Sequence, residues 1–389
     1  MLKKISGLFF LFSLFFIFGC DSNNLYFEKA VSYQKDGEYQ KAIECYNKAI
    51  TNNDHVAEAE KNLADLCFLD KNYEDAFLHY GNAIEAGSEM AIDNVIKLAS
   101  FNDKQVRQLA SNTLSNIQNE ESVKLIFDKL KTILHSKEEY KVIDTLELIS
   151  NFERDISYIS EDIISLLDSE NFVIKQKALK VLPKIAKIVC EKEENFNKVL
   201  SYLKQDNEIM KSATIDCLGE MKQYAKKAIP ELIKLTDKDN KIYKEKVVSS
   251  ISKIGVPLKE QFVEIDSLLE DKPNYIKITL LETFENIPVD EAKEYVPNIL
   301  LFLKYDGSEI KQKARTVLTK IGKASQKTVP ELVKLLKEQN DEIVSRAIFE
   351  LGDLGDAASV AIDPLKEVAE STENKDIKKL AIDALQKIQ

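Results

Sequence analysis

The chain has no tryptophan, only 11 glycines and 8 prolines among 389 residues, and 3 histidines. Breakers this sparse exclude a compact, turn-rich domain of that length, which needs Gly and Pro at its tight corners. Cysteine is equally scarce. Beyond Cys20 there are Cys45, Cys67, Cys190 and Cys217, and none falls in a CxxC pair, which excludes the usual zinc and thioredoxin-like patterns. These four are either buried apolar thiols on helices or, in an exported chain, disulfide partners. No HExxH, glycine-rich phosphate loop or GxSxG occurs. His55, His79 and His135 stand isolated along the chain. No enzyme chemistry, cofactor or metal is therefore expected. An excess of positive charge is missing too. The net charge of −11 argues against nucleic acid, which needs a basic face, and against adhesion to anionic lipid by charge.

What is present starts at the N-terminus. Lys3 and Lys4 precede an apolar run, Leu8 to Phe18, that ends at Gly19-Cys20. The run falls short of the ~20 apolar residues that span a bilayer. Cations, a short apolar core and a small residue at the cut make residues 1–19 a secretory signal. Ile17-Phe18-Gly19-Cys20 resembles the lipobox of bacterial lipoproteins, with Phe18 where a small or β-branched residue is usual. The resemblance implies Cys20 as the first mature residue, acylated with palmitate-type chains. The protein would then be held on a membrane of the bacterial cell envelope, at its periplasmic face or at the cell surface. Each buried acyl CH₂ contributes roughly 0.8 kcal/mol, and two or more chains anchor stably. Residues 20–24 are the lipidated cysteine and its tether; Asp21 to Asn24 reach only ~14 Å when extended. Without Lys3 and Lys4 the net charge is −13.

Residues 25–88 hold two units of 34 residues. Ala30, Tyr33, Ala42, Tyr46 and Ala49 recur as Ala64, Cys67, Ala76, Tyr80 and Ala83. Gly37-Glu38-Tyr39-Gln40-Lys41-Ala42-Ile43 aligns without gaps with Lys71-Asn72-Tyr73-Glu74-Asp75-Ala76-Phe77. The pattern resembles the tetratricopeptide repeat, in which small residues let two antiparallel helices approach and a Tyr fills the space between them. Glu60 replaces the usual first-turn aromatic. Two such units rarely suffice alone, so the second must be covered by the stretch of chain after residue 88.

From 89 to 389 a second repeat runs through about nine copies. An apolar anchor is followed by apolar residues at +4 and +7, one face of an α-helix. The anchors are Ala110, Val142, Ala178, Thr214, Val247, Leu280, Ala314, Ala347 and Ala381, spaced 32 to 36 residues apart. An Asn or Asp stands seven residues earlier at 103, 171, 207, 240, 340 and 374, where it would cap a helix start. Glycine follows the helix at 255, 322 and 355, and proline opens a second helix at 230, 297, 330 and 364. Asn340-Asp341-Glu342-Ile343-Val344-Ser345-Arg346-Ala347-Ile348-Phe349-Glu350-Leu351-Gly352-Asp353-Leu354-Gly355 looks most like a HEAT repeat of the short phycobilisome-lyase type. The resemblance implies a fold, not lyase activity. The expected architecture is an all-α, right-handed superhelical solenoid of tetratricopeptide and HEAT/armadillo-like repeats.

Two surfaces are candidates for a protein partner. Three residues before the anchors stand Arg107, Lys175, Lys211, Lys244, Lys277, Lys311 and Lys378. They form either a groove for an acidic partner or a set of donors to neighbouring repeats. On the first helices of the tetratricopeptide-like units, the resemblance marks Phe27, Gln34, Lys61 and Phe68, with Asn24, Val31, Glu58 and Asp65. Those positions read otherwise as core or solvated face. The sequence thus points to a membrane-anchored protein-interaction scaffold of the bacterial envelope. A surface-displayed binder of external ligands, and a chaperone or lyase-like accessory of an enzyme, share the same features.

Overall fold

The computed structural model describes residues 26–388 apart from 237–241, 306, 325–327 and 339–340. Cys20, the signal segment, the tether with Asn24, and the expected caps Asn240 and Asn340 lie outside the described residues. The described residues form α-helices, short 3₁₀ helices and turns, with no strand among them. The fold is an all-α solenoid. Its contacts divide it into residues 1–129 with 151–154, and residues 130–150 with 155–389.

The first unit opens with two helical hairpins, Tyr26–Lys35 with Tyr39–Thr51 and Val56–Leu69 with Tyr73–Glu85. Ala30, Ala42, Ala49, Ala64, Ala76 and Ala83 are fully buried, so the helices approach as the repeat pattern requires. Tyr46 and Tyr80 fill the space between them. The 34-residue period extends to the backbone. Gly37 and Lys71 both take positive φ, 76° and 61°, at the equivalent hairpin turn; so do Asn53 and Gly87, 58° and 89°, at the exit of each second helix. Lys71 is the costly member of the first pair, because a Cβ crowds the following carbonyl there. Glu60 is buried and accepts from His79 Nδ1 at 2.6 Å and Asn82 Nδ2 at 3.3 Å, which explains a carboxylate where an aromatic is usual. Helices Glu89–Leu98 and Lys104–Asn116 cover the second hairpin. Ser122 Oγ donates to Ile84 O at 2.6 Å.

In the second unit, anchor-bearing helices alternate with shorter second helices. Val142, Ala178, Thr214, Val247, Leu280, Ala314, Ala347 and Ala381 are all buried, as is Ala110 in the first unit. Asp103, Asn171, Asn207 and Asn374 cap their helices, each accepting from backbone N–H groups two or three residues on. Pro230, Pro297, Pro330 and Pro364 sit in the first turns of Ile229–Lys234, Val296–Leu301, Thr328–Leu335 and Ile362–Ser371. Gly255 and Gly355 follow their helices with φ of 90° and 55°. Gly322 departs from that expectation: the helix Ser308–Ala324 runs through it. Glycine permits a left-handed stop without imposing one, and nothing in its identity ends a helix.

Two other glycines mark where consecutive anchor helices touch. A Cβ on Gly219 would lie 3.0 Å from Ser250 Cα and 2.7 Å from its Oγ; one on Gly352 would lie 3.0 Å from Ala384 Cα. Both glycines stand five residues after an anchor, facing the residue three after the next anchor.

Candidate interaction surfaces

Among the described tetratricopeptide-like candidates Glu58 is exposed, while Phe27, Val31, Gln34, Lys61, Asp65 and Phe68 are half-buried. Phe27 stacks on His55 with ring centroids 4.7 Å apart and packs against Tyr46. Gln34 accepts from the Tyr46 hydroxyl, and Asn62 donates to that same oxygen at 3.0 Å. Lys61 pairs with Asp65 at 2.7 Å. Asp65 in turn accepts from Tyr80 Oη at 2.6 Å. Burial, then the bond to Asp65, drives the Tyr80 phenol far above its ordinary range. Phe68 lies edge-on to Phe101 at 5.4 Å and tilted on Tyr73 at 5.1 Å. These side chains knit the first helix of each hairpin to its second helix and to the next repeat.

The cation series divides. Lys175 lies 5.9 Å from the Tyr202 ring, Lys244 4.9 Å from Tyr275, and Lys277 4.4 Å from Tyr305. In each case the tyrosine belongs to the following stretch of repeat. Lys277 is only 4 % exposed and donates to Lys272 O at 2.9 Å, so the expectation that it lines an open groove is corrected: it is packed inside. Tyr305 Oη donates to Asp266 O at 3.0 Å, and Tyr202 Oη donates to Leu167 O, so these tyrosines join second helices of neighbouring repeats. Burial pushes the Tyr202 phenol up to about 12. Arg107 donates to Phe101 O at 2.8 Å. Lys211 and Lys311 are half-buried and Lys378 exposed, none with an ion pair among the described residues.

A second charged series escaped the sequence reading. Cations on one anchor helix pair with carboxylates on the anchor helix before it. Lys177 pairs with Glu147 and Lys246 with Asp216. Lys253 meets Glu220 at 2.8 Å, Lys313 meets Glu285 at 3.0 Å, and Lys387 meets Asp353 at 2.9 Å. Burial raises the Glu147 carboxyl, but Lys177 and Lys180 more than reverse it, leaving it below the ordinary range. The signal was present as a basic residue directly before the anchor at 177, 246 and 313. The histidines are not isolated in space either: His55 bonds Asp54 and His135 Nε2 bonds Asp162, at 2.6 and 2.7 Å.

The thiols of Cys45, Cys67, Cys190 and Cys217 are free. Burial pushes Cys67 and Cys190 up to about 11, which makes them poor nucleophiles. Among the described residues no helix is long and apolar enough to cross a membrane.

Clefts open on the second unit among the described residues, and three bear on charge. One of about 700 Å³ mixes Lys177, Lys180 and Lys246 with Glu208, Asp216 and Glu220. The second, about 810 Å³, carries Lys311, Arg315 and Lys320 and, among the described residues, no acid. The third, about 250 Å³, carries Lys311, Arg315 and Arg346 beside Phe349, again with no acid among the described residues. Arg315 sits over the Phe349 ring at 5.0 Å. Arg346 Nη1 donates to Leu300 O at 3.0 Å. Nearby Glu350 is buried, its Oε1 has no hydrogen-bond partner, and burial pushes its carboxyl up to about 7.

The profile for HEAT repeats matches residues 296–386, and the profile for the tetratricopeptide repeat matches residues 24–55. No curated protein matches the chain. Among solved structures, the chain is similar to an engineered protein from a structural-genomics consortium, at 16% identity and a TM-score of 0.29, covering 93% of this chain and 91% of that one. The two profiles support a protein-interaction scaffold, and solenoids of such repeats are typically non-catalytic.

Proposed function

We propose that this chain is a lipid-anchored scaffold that holds protein partners at a membrane of the bacterial envelope. The anchoring half rests on one observation: Lys3-Lys4, the short apolar run and Gly19-Cys20 occur together, with the first described helix starting six residues later at Tyr26. A solenoid attached so closely offers its repeats to partners near the membrane surface. The holding half rests on the repeats, whose stacked helices present long surfaces with little chemistry of their own. Replacing Cys20 with Ala tests the anchor. Cell fractionation of Cys20→Ala should show soluble or unprocessed protein; a variant that remains membrane-bound and normally processed would refute it. Crosslinking in native membranes, followed by identification of the captured proteins, tests the scaffold.

A further inference from the structure

We infer that the adjoining clefts around Lys311 and Arg315 bind an acidic, extended segment of a protein partner. This deepens the scaffold reading and rests on it. Elsewhere along the anchor helices cations meet carboxylates of the preceding repeat, as Lys177, Lys246, Lys253 and Lys387 do. On the helix Ser308–Ala324 itself Lys313 is neutralised in this way by Glu282 and Glu285. Lys311 and Arg315, one turn apart on the same helix, have no ion pair among the described residues. They are also the two residues common to both clefts.

The surroundings favour an anion. Among the described residues neither cleft is lined by an acid, although the chain carries a net charge of −11. Arg346 and Lys320 add positive charge at the edges while their own donors are held by Leu300 O and Glu285 O. Glu350, which interacts with Arg315, is buried, and burial raises its carboxyl to about 7, so its opposing charge is reduced. The Arg315 guanidinium lies over the Phe349 ring at 5.0 Å, and Lys387 approaches the same ring at 5.2 Å. At that distance from the ring a guanidinium can still offer N–H groups to a carboxylate, which they match as a fork.

Geometry selects the kind of segment. Residues at i and i+4 of a helix stand about 6 Å apart. Alternate residues of an extended chain lie on one face about 6.6 Å apart. A peptide with Asp or Glu at alternate positions therefore sets one carboxylate on Lys311 and the next on Arg315. An anionic membrane presents unpatterned charge and does not share that spacing.

The test uses the purified full chain in detergent and a fluorescent peptide of alternating Ser and Glu, read by anisotropy. The same peptide with Gln for Glu should fail to bind. The double variant Lys311→Gln/Arg315→Gln should weaken binding about tenfold or more, the loss expected when two charge-assisted contacts go. Its melting curve should stay unchanged, and Lys246→Gln, which alters a cation already paired, should bind as wild type does. Equal binding of the Glu and Gln peptides, or undiminished binding by the double variant, would overturn the site. So would vesicles of phosphatidylglycerol that bind through Lys311 and Arg315 while the Glu peptide does not. A natural partner whose crosslinking survives the double variant would overturn this site yet leave the scaffold standing; absence of any crosslinked partner would instead remove the scaffold.

Discussion

Gly219 and Gly352 provide the sharpest check on how closely successive anchor helices pack. In a helix interior, Gly→Ala ordinarily stabilises by roughly 0.5–1 kcal/mol, because alanine loses less backbone freedom on folding. Gly81, in the helix Tyr73–Glu85, is a site where that gain should be realised: an added Cβ would meet only Thr113 Cγ2, at 3.7 Å. At Gly219 the same atom would lie 3.0 Å from the backbone of Ser250 and 2.7 Å from its hydroxyl, and that hydroxyl already donates to Ile215 O at 2.8 Å. The backbone atom cannot rotate away, so the helices must part or the hydroxyl must give up its acceptor. Overpacking of this kind costs about 1–3 kcal/mol. Against the propensity gain, Gly219→Ala should come out destabilising by about 1–2 kcal/mol. Gly352→Ala, 3.0 Å from Ala384 Cα, should behave alike. Urea unfolding followed by far-ultraviolet circular dichroism reads all three. The close approach is refuted if Gly219→Ala stabilises as Gly81→Ala does.

Two further predictions concern buried charge. Lys277→Met should destabilise by about 1–3 kcal/mol, since it removes the buried ammonium's bond to the partly buried Lys272 carbonyl, whereas Lys211→Met should stay within about 0.5 kcal/mol; equal melting temperatures would argue against the internal role of Lys277. Glu350 is held above the ordinary carboxylate value of 4.5, at about 7, so the fold favours its protonated form. The stability it lends is fully present below about 4.5 and is lost as pH rises through about 7. Glu350→Gln should flatten that decline and raise the melting temperature on the alkaline side. An unchanged pH profile would show that the carboxyl is hydrated.

The helical repeats were legible because their cause is local and periodic. Ala110 through Ala381 were readable as anchors since each must fit between two helices, and each is buried. The caps at 103, 171, 207 and 374 were readable for the same reason: a side chain two or three residues from the amides it serves leaves its mark nearby. Gly322 misled because a glycine tolerates several backbone states and its identity does not choose among them. The side-chain networks were much less visible. Nothing local tells that Glu60 meets His79, or that Lys277 turns inward while Lys211, at the same repeat position, does not. Those outcomes depend on which tyrosine or carbonyl the next repeat supplies. The setting of Lys311 and Arg315, without an ion pair among the described residues, could not be read either, because it is a property of space.

The ion pairs between consecutive anchor helices span nearly constant stretches of sequence, from Lys313 with Glu285 to Lys387 with Asp353. Adding another repeat would therefore lengthen the chain without lengthening its loops. Closure entropy stays the same for every tie, so the barrier to assembling any one interface does not grow with the number of units. Growth of ordered structure can begin at whichever neighbouring pair is strongest and spread outward in both directions. A truncation at a repeat boundary removes one interface and leaves the remainder with the same local problem to solve, which makes repeat number an adjustable quantity for this protein, independent of how fast its pieces form.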